Sequence, residues 1–285
     1  MINRIRTAFV MAIISGLGAS ASAQDGRVLL KLNDKAGQET RYVITAAVDT
    51  SVTPQGPDGL SNKVRKELSA TVLVRTVEAR AAGQINQEAV IEAISARTLV
   101  NGVEVPTLAG KLAGKQVDLT LDEFGEVLKV SMPEEAARVG LAEILLSLGG
   151  WLPKGEVGVG QDWKPGPRGF FYSQSLADIS KSPSVLYKLS SLGDTASIEG
   201  AITLDQSGAS ILTTDAGPLN VNVIAKGEGS TRFVYDVASS RITEAMTETR
   251  LEGRLANVSP GPPGVSRSRG GSVVETSKVS VKLAQ

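Results

Sequence analysis

Between Glu67 and Val74 the chain runs Glu67-Leu68-Ser69-Ala70-Thr71-Val72-Leu73-Val74. The side chains of Leu68, Ala70, Val72 and Val74 fall on one side of an extended strand, because successive side chains of a strand point to opposite faces. This period-two pattern is typical of antiparallel sheets with one buried and one solvated face. The same alternation recurs at Val117–Leu121, Ala196–Leu204 and Val279–Leu283.

Two hairpins are predicted from short turn sequences between apolar runs. Asn101-Gly102 separates Thr98–Val100 from Val103–Val105. An Asn-Gly pair in that setting is the strongest short hairpin signal, because both residues accept a positive φ. Glu123-Phe124-Gly125 separates Val117–Leu121 from Val127–Val130 in the same way.

One segment has the period of a helix. Ser131, Pro133 and Glu134 form a start signal that resembles a capping box with proline in the first turn. Leucine and isoleucine then recur at i, i+3, i+4 and i+7 from Leu141 to Leu148, and Gly149-Gly150 follows. We predict an amphipathic helix at about residues 133–148, with its apolar stripe covering a sheet.

These elements predict a mainly β protein with two curved antiparallel halves, at residues 24–132 and 168–285. Residues 133–167 hold the helix and a loop rich in Gly, Pro and Trp. Hairpins in both halves look alike, as an internal duplication would produce; chance similarity between two β-rich stretches is the other interpretation. Residues 259–272 contain three prolines and four glycines and are predicted to form a flexible surface loop.

The first 23 residues have the features of a cleaved signal peptide. Arg4 and Arg6 precede an apolar stretch from Ala8 to Leu17, and Ala21-Ser22-Ala23 is an A-x-A site, so cleavage is expected before Gln24. The apolar stretch is shorter than the ~20 residues that span a bilayer, and no later stretch reaches that length. We therefore expect an exported, soluble product in the periplasm or outside the cell.

Composition excludes several kinds of chemistry. The 285 residues include no His and no Cys, so His-based triads, thiolate nucleophiles and ordinary zinc, haem or iron–sulfur sites lack their ligands. Lys and Arg number 30, as do Asp and Glu, and this balance argues against a nucleic-acid partner. No catalytic residue, metal site or cofactor is predicted.

Two short motifs do not match the sites that they resemble. Asp118-x-Thr120-x-Asp122 begins like a calcium loop, but Glu123 stands where that loop requires glycine. Gly158-Val159-Gly160 begins like a dinucleotide fingerprint, but the third glycine is missing and Trp163, Pro165 and Pro167 oppose a following helix.

The aromatic residues are concentrated in one segment. Five of them lie between positions 151 and 172: Trp151, Trp163, Phe170, Phe171 and Tyr172. They are candidate ligand-binding residues that would line a pocket for an apolar ligand. The alternative is a satellite core that fixes the connecting loop to the sheets, which is the commoner role of large rings in such loops.

At this segment the chain resembles a family of exported bacterial β-rich domains of unknown function. The resemblance lies in Pro153, Val157-Gly158-Val159-Gly160-Gln161-Asp162-Trp163, the hairpin from Asp122 to Val130, and Gly227-x-Gly229. It would cover most of residues 27–257, whereas the 259–272 segment is not part of the pattern. It implies export and a β architecture, and it implies no activity and no functional residue.

Three functional hypotheses follow. The first is a non-enzymatic protein that acts by binding in the cell envelope or outside the cell, because catalytic motifs, His and Cys are missing. The second is a carrier of a lipid or another apolar ligand in a β-sheet hollow. The third is a hydrolase that uses carboxylates alone. The partner is an apolar small molecule or an envelope protein under the first two.

Overall fold

A computed structural model describes residues 26–54, 61–80, 83–107, 109–134, 151–165, 184–214, 217–257 and 270–284. Fourteen β-strands and a 3₁₀ turn at Ala109–Lys111 lie within these ranges. The strands are β1 Arg27–Val28, β2 Glu39–Pro54, β3 Asn62–Ala79, β4 Ile85–Val100, β5 Val103–Val105, β6 Gln116–Leu121, β7 Val127–Ser131, β8 Val157–Gly158, β9 Asp162–Trp163, β10 Ser184–Leu192, β11 Thr195–Thr214, β12 Gly217–Asp236, β13 Arg241–Asn257 and β14 Gly270–Leu283.

Twelve of these strands form one sheet, in the order β7-β6-β4-β3-β2-β14-β13-β12-β11-β10-β9, with β5 paired to β4. Every pairing is antiparallel, which confirms the predicted mainly β, antiparallel class. The two predicted halves are neighbours in this sheet, because β2 pairs with β14 from Tyr42↔Leu283 to Pro54↔Gly271. Strands β1 and β8 form a separate two-stranded sheet.

The alternation predicted from the sequence is confirmed on the buried side of the sheet, which we call the inner face. Leu68, Ala70, Val72 and Val74 are all buried, as are the alternating residues of Val117–Leu121 and Ala196–Leu204. Leu283 is the exception, since 37% of it is exposed. It is the last residue of β14.

Both predicted hairpins are confirmed. Asn101 and Gly102 have φ values of 50° and 84°, as a type I′ turn requires, and they join β4 to β5. Between β6 and β7 the carboxylate of Asp122 accepts hydrogen bonds from the backbone N–H groups of Phe124 (2.9 Å) and Glu126 (2.7 Å). Asp122 therefore stabilises this turn.

Several predictions fall outside the described residues. These are the signal peptide at 1–23, all but the first two residues of the helix at 133–148, and residues 168–183 at the start of the predicted second half. One boundary is wrong: the loop predicted at 259–272 cannot extend past residue 269, because Gly270–Ser272 belong to β14 and pair with Arg254, Leu255 and Ala256. Glycine content suggested a loop there, but the backbone of glycine can still complete a ladder between two long strands.

The sheet is strongly curved. Leu121 on β6 and Ile242 on β13 line the same cavity, whose volume is about 50 Å³. These strands are five positions apart in the sheet order. In a flat sheet they would lie about 24 Å apart, at ~4.8 Å between neighbouring strands. The sheet must therefore roll inward to bring both residues to one small cavity.

Two segments that cross one end of the sheet hold it in this shape. In residues 26–38, the N–H of Leu32 donates to the carbonyl of Glu123 (2.7 Å), and the Tyr235 hydroxyl donates to the carbonyl of Lys31 (2.5 Å). In residues 151–165, Lys154 pairs with Glu126 at 2.5 Å. Since Glu123 and Glu126 adjoin β7 at one edge and Tyr235 lies in β12, these segments bridge distant strands. We call this the closed end.

Glycines allow the inner face to bend sharply beyond the closed end. A Cβ atom on Gly227 of β12 would lie 2.2 Å from the carbonyl oxygen of Arg250, and one on Gly253 of β13 would lie 2.6 Å from the carbonyl oxygen of Ile224. Backbone therefore occupies the space that a side chain would need. Glycine at such positions is typical of sheets that curve.

Replacing Gly227 with alanine should destabilise the fold. Because the added methyl group would meet backbone and not a movable side chain, we expect Gly227→Ala to lower the free energy of unfolding by about 2 kcal/mol or more. Gly193→Ala is the matched control, because a Cβ there meets nothing within 4 Å. Urea denaturation of both variants checks the prediction, and equal stability of the two would contradict the proposed bend.

Candidate binding hollow

The inner face carries many buried apolar side chains inside the curve of the sheet. Its buried apolar side chains include Ile44, Val48, Leu68, Ala70, Val72, Val117, Leu119, Val185, Ile198, Ile202, Leu204, Val223, Leu251, Leu255, Val273 and Val279. The surface continues away from the closed end to Val223, Leu255 and Val273, which we call the far end. Since it runs across strands of both halves, it is a property of the assembled sheet.

Some apolar side chains on this face are only partly buried. They are Ala46 and Val52 on β2 and Ile94 and Ala96 on β4, all packed against the core. Partly exposed apolar surface on the concave side of a sheet is the kind of surface that an apolar ligand covers. These four residues keep some exposed apolar surface on the inner face.

An aromatic cluster fills the closed end. Trp151 stacks on Phe233 with ring centroids 4.3 Å apart and an interplanar angle of 9°. Tyr187 lies 5.7 Å from Phe233 and 5.9 Å from Trp163. The indole N–H of Trp163 donates to the carbonyl of Trp151 at 2.7 Å, so the two tryptophans hold residues 151–165 against the sheet.

Two of the five candidate ligand-binding aromatics can therefore be placed. Trp151 is 1% exposed and belongs to the core, and Trp163 is partly buried and packs against the core. This is the geometry of the loop-anchoring interpretation, and a ligand-binding role for them stays a prediction. Phe170, Phe171 and Tyr172 lie outside the described residues. Sequence reasoning missed Tyr187 and Phe233, although both occupy inner-face positions of alternating strands.

A band of buried polar side chains crosses the middle of the inner face. Thr231 pairs with Thr247 at 2.8 Å and Thr249 pairs with Ser277 at 2.7 Å, each across neighbouring strands. The Thr50 hydroxyl donates to a carboxylate oxygen of Glu275 at 3.1 Å. Sequence reasoning did not find this band, because its members come from four strands that only the sheet order makes neighbours.

Glu275 is the unusual member of this band. It is 2% exposed, in an apolar surface. Burial raises the pKa of its carboxyl group from 4.5 to about 7, while the hydrogen bond from Thr50 and the positive charge of Lys66 lower it in part. The carboxyl group can therefore exchange a proton near neutral pH.

The 50 Å³ cavity at the closed end has both polar and apolar lining residues. The carboxylate of Asp34 accepts hydrogen bonds from the side-chain amides of Gln87 (2.7 Å) and Gln38 (2.9 Å), and Arg241 lies nearby. Burial raises the pKa of Asp34, which these donors and Arg241 oppose. A cavity of this size can take about one or two water molecules and is far below the ~300 Å³ of a ligand pocket. The hydrogen bond from Gln87 to Asp34 joins residues 26–38 to β4.

No metal or dinucleotide site emerges from the described ranges. They contain no group of three or more Asp and Glu side chains placed to hold a metal ion. Asp122 is occupied with its turn, and Asp118 accepts a hydrogen bond from Gln116 at 2.5 Å. Gly158 of β8 pairs with Arg27 of β1, and the N–H of Gly158 donates a hydrogen bond to the side-chain oxygen of Gln161 at 2.8 Å. In the same ranges, no helix has the length and apolar character needed to cross a bilayer.

No protein-family model and no curated protein sequence matches the chain. Among solved structures it is similar to lipovitellin, in a structure that describes lipid–protein interactions in that protein, with a TM-score of 0.55 and 12% identity. The match covers 89% of this chain and 26% of the lipovitellin chain, so this chain spans about a quarter of lipovitellin. At that identity the likeness shows the fold alone.

A second solved structure is a LolA superfamily protein from Nitrosomonas europaea. It matches over 86% of this chain and 87% of its own, at 10% identity. Its TM-score of 0.15 is too low to support any conclusion about this fold.

Protonation of Glu275 should make stability depend on pH. A raised pKa means that the folded protein holds the proton more tightly, so this contribution is complete below pH 4.5 and is lost as pH rises to about 7. At about 1.4 kcal/mol per pH unit, the loss in the free energy of unfolding is roughly 3 kcal/mol.

Glu275→Gln should remove this pH dependence, which urea denaturation of the variant and the wild type at pH 4.5 and 7.5 would measure. Glu248→Gln is the control, because Glu248 is half exposed and pairs with Lys278; equal pH dependence in all three proteins would refute the prediction.

The two tryptophans make the anchoring of residues 151–165 measurable. Trp163→Phe removes the hydrogen bond to Trp151 and should lower the free energy of unfolding by about 1 kcal/mol, whereas Trp151→Leu removes a buried stacked ring and should lower it by about 3 kcal/mol.

Since the chain has two tryptophans, Trp163→Phe leaves Trp151 as the single emitter, and the fluorescence of Trp151 should be blue-shifted. Emission typical of exposed indole would contradict the described packing. Quenching of Trp151 by brominated lipid would favour the ligand-binding interpretation.

Proposed function

We propose that this protein binds and carries a lipid or another apolar ligand in the hollow of its curved sheet. The observation that carries the proposal is the largely apolar inner face, which extends from the aromatic cluster to Val223, Leu255 and Val273 and is crossed at its middle by the polar band. The hollow is of the apolar, concave kind that small-molecule sites use. Carriage is one form of the binding role expected from the sequence.

The shared fold with lipovitellin supports this proposal. The solved structure of that protein concerns its lipid–protein interactions, and its similarity extends over 89% of this chain. Fold alone does not fix function, so the support comes from the fold together with the apolar face. The partly buried Ala46, Val52, Ile94 and Ala96 are where we place contact with the ligand.

The proposal includes export and excludes catalysis. Export rests on the signal peptide predicted at residues 1–23, which would release the product to the periplasm or beyond. A non-enzymatic role rests on the missing His, Cys and catalytic motifs of the sequence. A carrier needs no catalytic group, and it needs a soluble body with an apolar interior.

Two alanines on β4 provide a matched test. Ala96 is partly buried on the inner face, and Ala93 is exposed on the opposite face of the same strand. We expect Ala96→Asp to lower lipid retention more than tenfold, because a carboxylate in the hollow would have to be desolvated. Ala93→Asp should leave retention unchanged. Native mass spectrometry of the protein purified without detergent, then reloaded with phospholipid, measures retention.

Circular dichroism and thermal melts should show both variants folded. A wild-type protein that stays bare at saturating lipid, or equal loss of lipid in both variants, would overturn the carrier proposal. A mass matching residues 24–285 would support cleavage before Gln24, and an uncleaved mass in the envelope fraction would argue against it.

A further inference from the structure

Two charged side chains interrupt the apolar inner face. Strand alternation places Lys66 of β3 and Glu275 of β14 on the inner face. Apart from Arg241 at the closed end, these are the charged residues that the described strands place on that face. Lys66 is exposed, whereas Glu275 is buried. Charges are rare on the buried side of a sheet, because each must be compensated on leaving water.

The sheet register places these charges near each other. Lys66 lies opposite Val48 on β2, and Thr50, two residues further along β2, lies opposite Glu275. Two strand spacings and two residues along the strand separate their Cα atoms by about 12 Å in a flat sheet, and the curvature brings the side chains closer. The positive charge of Lys66 acts on the Glu275 carboxyl group, as expected for charges facing one space.

Hydroxyl groups lie between and beside the two charges. Thr50 donates to Glu275, and the Thr249–Ser277 pair occupies the next row of the same face. Each hydroxyl of the Thr249–Ser277 pair can donate one hydrogen bond and accept two. The hollow thus contains an anion, a cation and hydroxyls, surrounded by apolar side chains.

We propose that Glu275 and Lys66, with these hydroxyls, form a head-group site for an amphiphile whose polar end carries both an ammonium and a phosphate group. The ammonium would donate hydrogen bonds to Glu275, and the phosphate would contact Lys66. The acyl chains would lie along the apolar inner face. This inference rests on the proposed carrier function and specifies the class of its ligand.

The chemistry favours a primary amine among common phospholipid head groups. A buried carboxylate gains most from a charged donor at hydrogen-bond distance. Phosphatidylethanolamine supplies N–H donors and a phosphate. Phosphatidylcholine has the charge without N–H donors, and phosphatidylglycerol has no cation.

The test is a competition among these three lipids with identical acyl chains. Full-length processed protein is loaded from an equimolar mixture, and native mass spectrometry counts each bound lipid. We expect phosphatidylethanolamine to be retained about tenfold over the other two, a ratio that corresponds to about 1.4 kcal/mol. Glu275→Gln should abolish the preference, and Glu248→Gln should leave both the preference and the total amount of bound lipid intact.

The contact between Lys66 and the phosphate group is tested separately. Lys66→Met should lower retention of all three phospholipids relative to diacylglycerol, which lacks the phosphate. Unchanged preference in Glu275→Gln, or a wild-type preference for phosphatidylcholine or phosphatidylglycerol, would overturn the head-group site while the carrier function stands. No bound lipid of any kind would overturn the carrier function and this inference together.

Discussion

The antiparallel ladder between β2 and β14 is the interaction on which the rest of the structure depends. It joins residues 42–54 to residues 271–283, so the two halves of the chain become one sheet. With this ladder in place, β6 and β13 share one cavity and Thr50 faces Glu275. Closing so long a loop costs conformational entropy, which the long ladder and its buried residues must offset.

Curvature follows from features outside this ladder. Residues 26–38 and 151–165 bridge distant strands at the closed end, and the Trp151–Phe233 stack secures the second of them. Gly227 and Gly253 remove side chains where the backbones of β12 and β13 crowd the inner face. The hollow is therefore produced by anchors at one end and by missing side chains in the middle.

Burying polar side chains in the hollow costs free energy, and hydrogen bonds between neighbouring strands offset most of this cost. Thr231 with Thr247, and Thr249 with Ser277, satisfy hydroxyls across strands, so their burial costs little. Glu275 is different, because burial raises the pKa of its carboxyl group even though Thr50 donates a hydrogen bond to it. An apolar residue at position 275 would avoid the cost of burying a carboxyl group. A residue that is costly for folding is typical of a functional site, which is why we place ligand recognition at Glu275.

The sequence by itself determined the strand alternation of Leu68–Val74, the turn at Asn101-Gly102 and the class of fold, because those signals are local and depend on neighbours in the chain. The clustering of aromatic residues in the sequence also identified Trp151 and Trp163 as candidate site residues. Only the tertiary structure decided that β2 lies beside β14, that Tyr187 and Phe233 complete the aromatic cluster, and that Thr50, Lys66 and Glu275 share one face. The physical reason is that strand order and register arise from contacts between residues far apart in the chain, and period-two patterns fit many such arrangements equally well.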